Sequence, residues 1–190
     1  MSLDSGTGAL LWSATLAGAG GQDDRGRGIA ITPDGRLALS ASESFAAATK
    51  KDFLVQAFEL PELTGFPAAV SLSSGGTHGF DLSGGAGHAG EIAWLIGSFS
   101  GTSPGLTSMG FTLPLNPDAY FVLTVNHPNQ PPLAGSLGLL DATGHREASL
   151  TVPPLTDPSL SGVVVHHAWF ALEGLQVSLV SNAVPVTLTP

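Results

Sequence analysis

The sequence predicts an all-β fold, an antiparallel β-sandwich preceded by a separate four-stranded sheet. Three observations support this prediction. The 190 residues include 25 Gly and 14 Pro, which interrupt helices and supply turns. Short apolar segments recur along the whole chain with turn residues between them. Within many of these segments, apolar and polar residues alternate with the period of a strand.

Composition excludes several classes of protein. Charged residues make up only 11% of the chain and the net charge is −9. Five of the six basic residues lie in residues 1–60, and the sixth is Arg146. No basic stripe is available to neutralise phosphates, so we expect no nucleic-acid partner and no attraction to anionic lipid. Apolar runs such as residues 92–96 are far shorter than the roughly 20 residues of a membrane span.

The absence of cysteine excludes disulfides, thiolate metal sites and a cysteine nucleophile. Residues 1–16 carry no charged segment followed by an apolar core, so they do not form a signal peptide. Because the chain also opens within a repeat-like unit, we expect it to be part of a longer protein.

The first sixty residues predict four strands. Apolar residues alternate in residues 10–16 and resume in residues 29–31. Residues 32–35 read Thr-Pro-Asp-Gly, which suits a type I turn, and a further alternating segment follows in residues 37–41. The fourth strand, residues 52–60, is apolar on both faces, so we expect it to be covered on both sides.

Three segments of this region, DSGTGALLWSATLAG, GIAITPDGRLALSASES and DFLVQAFEL, resemble one blade of the quinoprotein-like and related bacterial β-propeller repeats. In those repeats a D-x-x-T-G-x-x-x-W segment alternates with a G-x-x-x-x-P-D-G hairpin. The resemblance implies a propeller-blade-like sheet over residues 1–62. A propeller closes with about 4–8 blades, and no second copy of either motif follows. The blade is therefore the last of a truncated propeller or is reused as an ordinary sheet.

Residues 75–190 predict the sandwich. Glycine-rich connections separate short segments of strand character, which is typical of sandwiches and barrels. The predicted strands are residues 77–82, 91–99, 109–115, 119–125, 138–142, 146–152, 162–172 and 176–188.

Several segments here, among them GHAGEIAWLIGSFSGTSPG, GSLGLLDATGHREASLTVPP and GVVVHHAWFAL, resemble a C-terminal domain of large secreted bacterial multidomain proteins. The resemblance implies a β-sandwich appended to repeats or propellers, with an extracellular or cell-surface location. It carries no activity over to this chain.

Four residues are candidate metal ligands: His78, Asp81, His88 and Glu91. They flank a glycine-rich loop, and His88 and Glu91 lie three residues apart, so imidazole and carboxylate ligands are close in sequence. The alternative is that they are ordinary polar loop residues and an acid at the start of a strand. The adjacent His166 and His167 leave opposite faces of a predicted strand, so they do not readily share one metal.

The sequence favours no enzyme and no cofactor. Residues 85–90 match the glycine pattern of a dinucleotide-binding loop, but Gly97, Gly101 and Pro104 follow where the required helix should lie. Phe99 occupies the nucleophile position of a Gly-x-Ser-x-Gly-like segment. The acids are scattered singly, mostly at turns and strand starts.

The functional hypothesis is a non-catalytic extracellular structural or interaction module. Exposed strand edges would let it bind a protein partner or a second copy of itself, because unpaired backbone groups template strand addition. The alternative is a carbohydrate- or metal-binding domain that uses the loop from His78 to Glu91. Trp94 and Trp169 lie within apolar strand patterns, which favours core packing over a sugar-binding platform.

Overall fold

The structure is a computed structural model that describes residues 62–108 and 110–190 in full, together with the backbone of five strands nearer the N-terminus. The described strands are β1 (Ser2–Leu3), β2 (Leu10–Trp12), β3 (Arg25–Ile31), β4 (Leu37–Ser44), β5 (Asp52–Glu59), β6 (Glu62–Phe66), β7 (Ala69–Ser71), β8 (Gly76–Ser83), β9 (Ile92–Ser98), β10 (Leu106–Ser108), β11 (Phe111–Leu113), β12 (Leu133–Ala134), β13 (Leu137–Leu139), β14 (His145–Val152), β15 (Val164–Glu173), β16 (Gln176–Val180) and β17 (Val184–Thr189). The described residues also form one α-helix, α1 (Ala119–Asn126), and two 3₁₀ turns, Ala86–His88 and Pro158–Leu160. The all-β class predicted from the sequence is therefore confirmed.

Helix α1 corrects one part of the prediction. Residues 119–125 were expected to form a strand, and they form a helix instead. Asp118 is the reason, because its side chain caps the helix by accepting a 2.8 Å hydrogen bond from the backbone N–H of Phe121. The nearly continuous apolar run that follows fits a helix and a strand equally well, so the cap decides between them.

The chain divides into two compact units. The smaller unit spans residues 14–60, and its described strands form a three-stranded antiparallel sheet in the order β3-β4-β5. The larger unit comprises residues 1–13 and 61–190. Strand β2, at the position of the first predicted blade strand, pairs with β16 of the larger unit through Trp12 and Leu179. Each of the four segments predicted as strands in residues 1–62 thus contains a strand, but the first pairs within the larger unit and the other three form the smaller sheet.

The larger unit contains two principal sheets. The first has the order β1-β2-β16-β15-β17-β7, with β9 pairing with β15 and β13 pairing with β9. The second has the order β12-β14-β8-β6. Pairing is antiparallel throughout except between β7 and β17. In β8, His78, Phe80 and Leu82 are buried while Thr77, Gly79 and Asp81 are not, so this sheet has one inner and one outer face.

The inner faces of the two sheets pack on each other. The rings of Phe80 on β8 and His167 on β15 are 4.7 Å apart between centroids. Trp169 is fully buried on β15 and donates its indole N–H to the carbonyl of Glu62 on β6 at 3.2 Å. These contacts pack the two sheets face to face, in a sandwich-like arrangement.

The side-chain amide of Asn182, just after β16, extends the second sheet at its β6 edge. It accepts a 2.8 Å hydrogen bond from Leu63 N–H and donates a 3.0 Å hydrogen bond to Leu63 C=O. The amide therefore pairs with Leu63 as a neighbouring peptide group would. Within the described residues, no helix is both long and apolar enough to cross a membrane.

Candidate functional site

His78, the first candidate metal ligand, lies inside the sandwich. Its side chain is fully buried on the inner face of β8, against Phe80 at 4.4 Å between ring centroids. Its Nδ1 hydrogen-bonds to the carbonyl oxygen of Pro67, while its Nε2 has no partner among the described residues. The ring rests against Gly65, where an added Cβ would come within 2.1 Å of Nε2. The close packing against Gly65 makes His78 part of the core.

Asp81 and His78 lie on opposite faces of the same strand. They are three positions apart on β8, so Asp81 projects from the outer face. There the carboxylate pairs with His145 on the neighbouring strand β14, with 2.5 Å between Oδ1 and Nε2. Asp81 therefore does not share a site with His78.

His88 and Glu91 do come together. Nδ1 of His88, at the end of the 3₁₀ turn Ala86–His88, lies 3.0 Å from Oε1 of Glu91. The other carboxylate oxygen of Glu91 accepts a hydrogen bond from the hydroxyl of Ser178 on β16. The pair thus ties the glycine-rich loop to the first sheet. In residues 62–108 and 110–190 no three His, Asp or Glu side chains are arranged to hold a metal ion.

A buried cluster around His167 was not predicted from the sequence as a site. His167 is fully buried, and its Nε2 lies 3.1 Å from the hydroxyl of Tyr120 on α1. Burial lowers the pKa of His167 to about 3, and the neighbouring His78 and His166 act in the same direction. Burial also lowers the pKa of His78, against the opposing effect of its hydrogen bond to Pro67. Both buried imidazoles are therefore neutral at physiological pH.

Asp118 organises the segment between β9 and α1. Its Oδ2 accepts hydrogen bonds from Phe99 N–H at 2.7 Å, from Ser100 N–H at 2.8 Å and from the hydroxyl of Ser98 at 3.0 Å. Burial alone would raise the pKa of Asp118, but the hydrogen bonds from Phe121, Ser100, Ser98 and Phe99 outweigh it and lower the pKa. The segment considered as a nucleophile turn, residues 97–101, is therefore held in place by the N-cap residue of α1.

A broad groove of about 770 Å³ lies on the outer face of the second sheet. Strand register places Phe66 opposite Gly79, and Gly79 opposite Ser149. The same register places Asp81 opposite Glu147 in the next row. Phe66 lies in residues 62–75, between the two segments predicted from the sequence, and only the pairing of distant strands brings it beside Glu147.

A second cavity, of about 370 Å³, lies beside α1 and is lined almost entirely by apolar atoms. Leu123 of the helix and Phe99 form part of its wall, and Leu150 and Val165 contribute from the two sheets. Such a lining would accept only an apolar group.

No protein-family model matches the chain, and no curated protein matches it.

Proposed function

We propose that this chain is a non-catalytic structural or interaction module of an extracellular or cell-surface protein, and that it associates with further copies of itself through the edge strand β5. The sequence resemblances to secreted multidomain proteins support the location. The arrangement of the smaller sheet supports the mode of association.

The observation that carries the proposal is the position of β5. Its register with β4 runs without a bulge over eight residue pairs, from Leu37 and Glu59 to Ser44 and Asp52. Among the described residues β5 pairs with β4 alone, so it stands at an edge of its three-stranded sheet. A long, regular edge strand presents a row of backbone donors and acceptors that another strand can use.

The sequence of β5 lacks the devices that normally protect an edge. It reads DFLVQAFE, with apolar residues at five of eight positions and charges only at Asp52 and Glu59. It contains no Lys and no Pro, the residues that most often discourage strand addition. By contrast, β3 at the other edge carries Arg25 and Arg27 and a register shift at Gly26 and Gly28.

Charge selects the partner edge. Two copies of β5 paired in antiparallel register would set Asp52 against Glu59, and like charges directly opposite destabilise a strand pair. Pairing β5 with β3 of a second copy would instead set one of these acids, at one end of β5, near Arg25 and Arg27 at the start of β3. A head-to-tail interface of this kind builds rings or open chains rather than a closed dimer.

The test is the solution mass across a concentration series, by size-exclusion chromatography with light scattering. We expect the mass to rise beyond that of a monomer. Gln56→Lys should shift the midpoint of association at least tenfold to higher protein concentration, because lysine on an edge strand discourages the addition of another strand. Ser40→Lys is the matched control, since Ser40 is the register partner of Gln56 on the central strand β4.

A monomer at every concentration, or equal effects of the two lysines, would refute edge pairing through β5. The double variant Arg25→Gln, Arg27→Gln tests the partner edge. It should weaken the assembly at least tenfold if β3 supplies that edge. The head-to-tail arrangement would be refuted if the assembly contained only two copies and the double variant formed it equally well.

A further inference from the structure

The groove on the outer face of the second sheet has the features of a binding site independent of the β5 edge. Its first feature is Phe66, whose side chain is 82% exposed at one wall. The opposing residue on β8 is Gly79, where an added Cβ would meet only the carbonyl oxygen of Phe66, at 3.8 Å. The face of the aromatic ring is therefore open to a ligand lying on Gly79.

The second feature is an uncompensated carboxylate. Asp81 and Glu147 are directly opposite on β8 and β14, an arrangement that destabilises a strand pair unless a cation lies nearby. Asp81 pairs with His145, but the carboxylate of Glu147 makes no hydrogen bond or ion pair with any described residue. It therefore remains free to bind a positively charged ligand.

No fixed positive charge of the larger unit's described residues competes for Glu147. Arg146 is the single Lys or Arg after residue 51. Its guanidinium donates to the backbone carbonyls of Gly135, Leu137 and Leu139 at 3.0–3.3 Å. The guanidinium thus fastens β13 to β14 and leaves the groove negatively charged.

An exposed aromatic ring and the free carboxylate of Glu147 together favour an organic cation, through cation–π attraction and charge-assisted hydrogen bonds. The floor, made of Gly79, Ser149 and Ala134, is three strands wide and spans roughly 10–15 Å. Such a floor suits a flat sugar ring better than the thin stem of a lysine. We propose that the groove binds an amino sugar with a free ammonium group, as a unit of a glycan chain.

The experiment is isothermal titration of the whole chain with the tetramer of β-1,4-linked glucosamine. We expect saturable binding, and at least tenfold weaker binding of the fully N-acetylated tetramer, which has the same rings without the charge. Tetralysine supplies the charge without the rings and should also bind at least tenfold more weakly.

Three variants locate the site. Phe66→Ala removes the ring, Glu147→Gln removes the free charge and Gly79→Val fills the floor, and each should weaken binding at least tenfold. Leu175→Ala and Glu173→Gln are matched controls at an exposed apolar and an exposed acidic position outside the groove, and neither should change affinity. Unchanged thermal unfolding verifies that each variant is folded.

Absence of saturable binding of the glucosamine tetramer would overturn the proposal. Equal binding of the N-acetylated tetramer would refute the role of the carboxylates, and equal or tighter binding of tetralysine would refute the choice of a sugar. Loss of binding in the control variants would place the site elsewhere. None of these results depends on self-association through β5.

Discussion

The hydroxyl of Tyr120 and Nε2 of His167 lie 3.1 Å apart in the interior of the sandwich, where they join helix α1 to strand β15. The two rings meet edge to face, with centroids 5.8 Å apart. The second ring nitrogen of His167 has no partner among the described residues. Protonation of this imidazole would therefore place an unpaired charge in an apolar interior. Because such a charge is unfavourable by several kcal/mol, the ring stays neutral instead.

Acid should destabilise the larger unit because His167 and His78 are buried in the neutral form. Burial holds the pKa of His167 at about 3 and lowers that of His78. In the unfolded chain both rings take up a proton near pH 6.5. As the pH falls from about 6.5 towards 3, the unfolded state gains the proton of the His167 ring while folded His167 does not, so the free energy of unfolding decreases. The lowered pKa of His78 acts in the same direction. The contribution of His167 to this slope approaches about 1.4 kcal/mol per pH unit.

Urea unfolding at pH 7, 6, 5 and 4 measures this slope. His167→Asn should lower the free energy of unfolding at pH 7. It should also reduce the slope of that free energy against pH by the contribution of His167. His127→Gln, at an exposed position, should leave the slope unchanged. A slope that persists undiminished in His167→Asn would show that other groups cause the acid sensitivity.

Gly97→Ala should destabilise the same cluster. A Cβ at this position on β9 would lie 2.1 Å from Cε1 of Tyr120 and 3.0 Å from Nε2 of His167. Because both rings are buried and held by their hydrogen bond, relief requires a shift of α1, and we expect a loss of about 2–3 kcal/mol. Gly87→Ala is the control, since no atom lies within 4 Å of its Cβ, and should change stability by less than about 0.5 kcal/mol. If urea unfolding showed equal losses of stability in the two variants, the close approach of Gly97 to Tyr120 and His167 would be contradicted.

Asp118→Ala should weaken both the start of α1 and the end of β9. It removes the helix cap and the acceptor for Phe99, Ser100 and Ser98, and we expect a loss of about 2–4 kcal/mol in urea unfolding at pH 7. Hydrogen exchange of the Phe99 and Ser100 amides should accelerate.

Asp157→Ala is the matched control for Asp118. Asp157 accepts a hydrogen bond from Ser159 N–H at an exposed 3₁₀ turn, so its replacement should lower stability by less than about 1 kcal/mol. If the two alanine variants lost similar amounts of stability, the conclusion that the four hydrogen bonds accepted by Asp118 stabilise the fold would be wrong.

The all-β class could be predicted from the sequence because turn residues and alternation are local signals. Helix α1 could not be recognised from its apolar run alone, since residues 119–125 carry Val and Thr, which also suit strands. The decisive signal was Asp118 one residue before that run, in the position of an N-cap.

The candidate sites were less predictable because they depend on strand register. Sequence spacing grouped His78 with Asp81, but the period of a strand sends them to opposite faces. Phe66 and Glu147 are eighty-one positions apart in the chain and line one groove only because β6, β8 and β14 are neighbours. No local pattern encodes such a pairing.

The position of Arg146 also bears on how the chain would survive outside a cell. Proteases of trypsin specificity cleave after Lys or Arg, and between residues 52 and 190 the bond after Arg146 is the single such bond. It lies within β14, which is hydrogen-bonded to β8 along its full length. A protease must draw the substrate out as a free extended segment, and β14 can be freed only when the sheet opens. The larger unit should therefore resist digestion for as long as it stays folded.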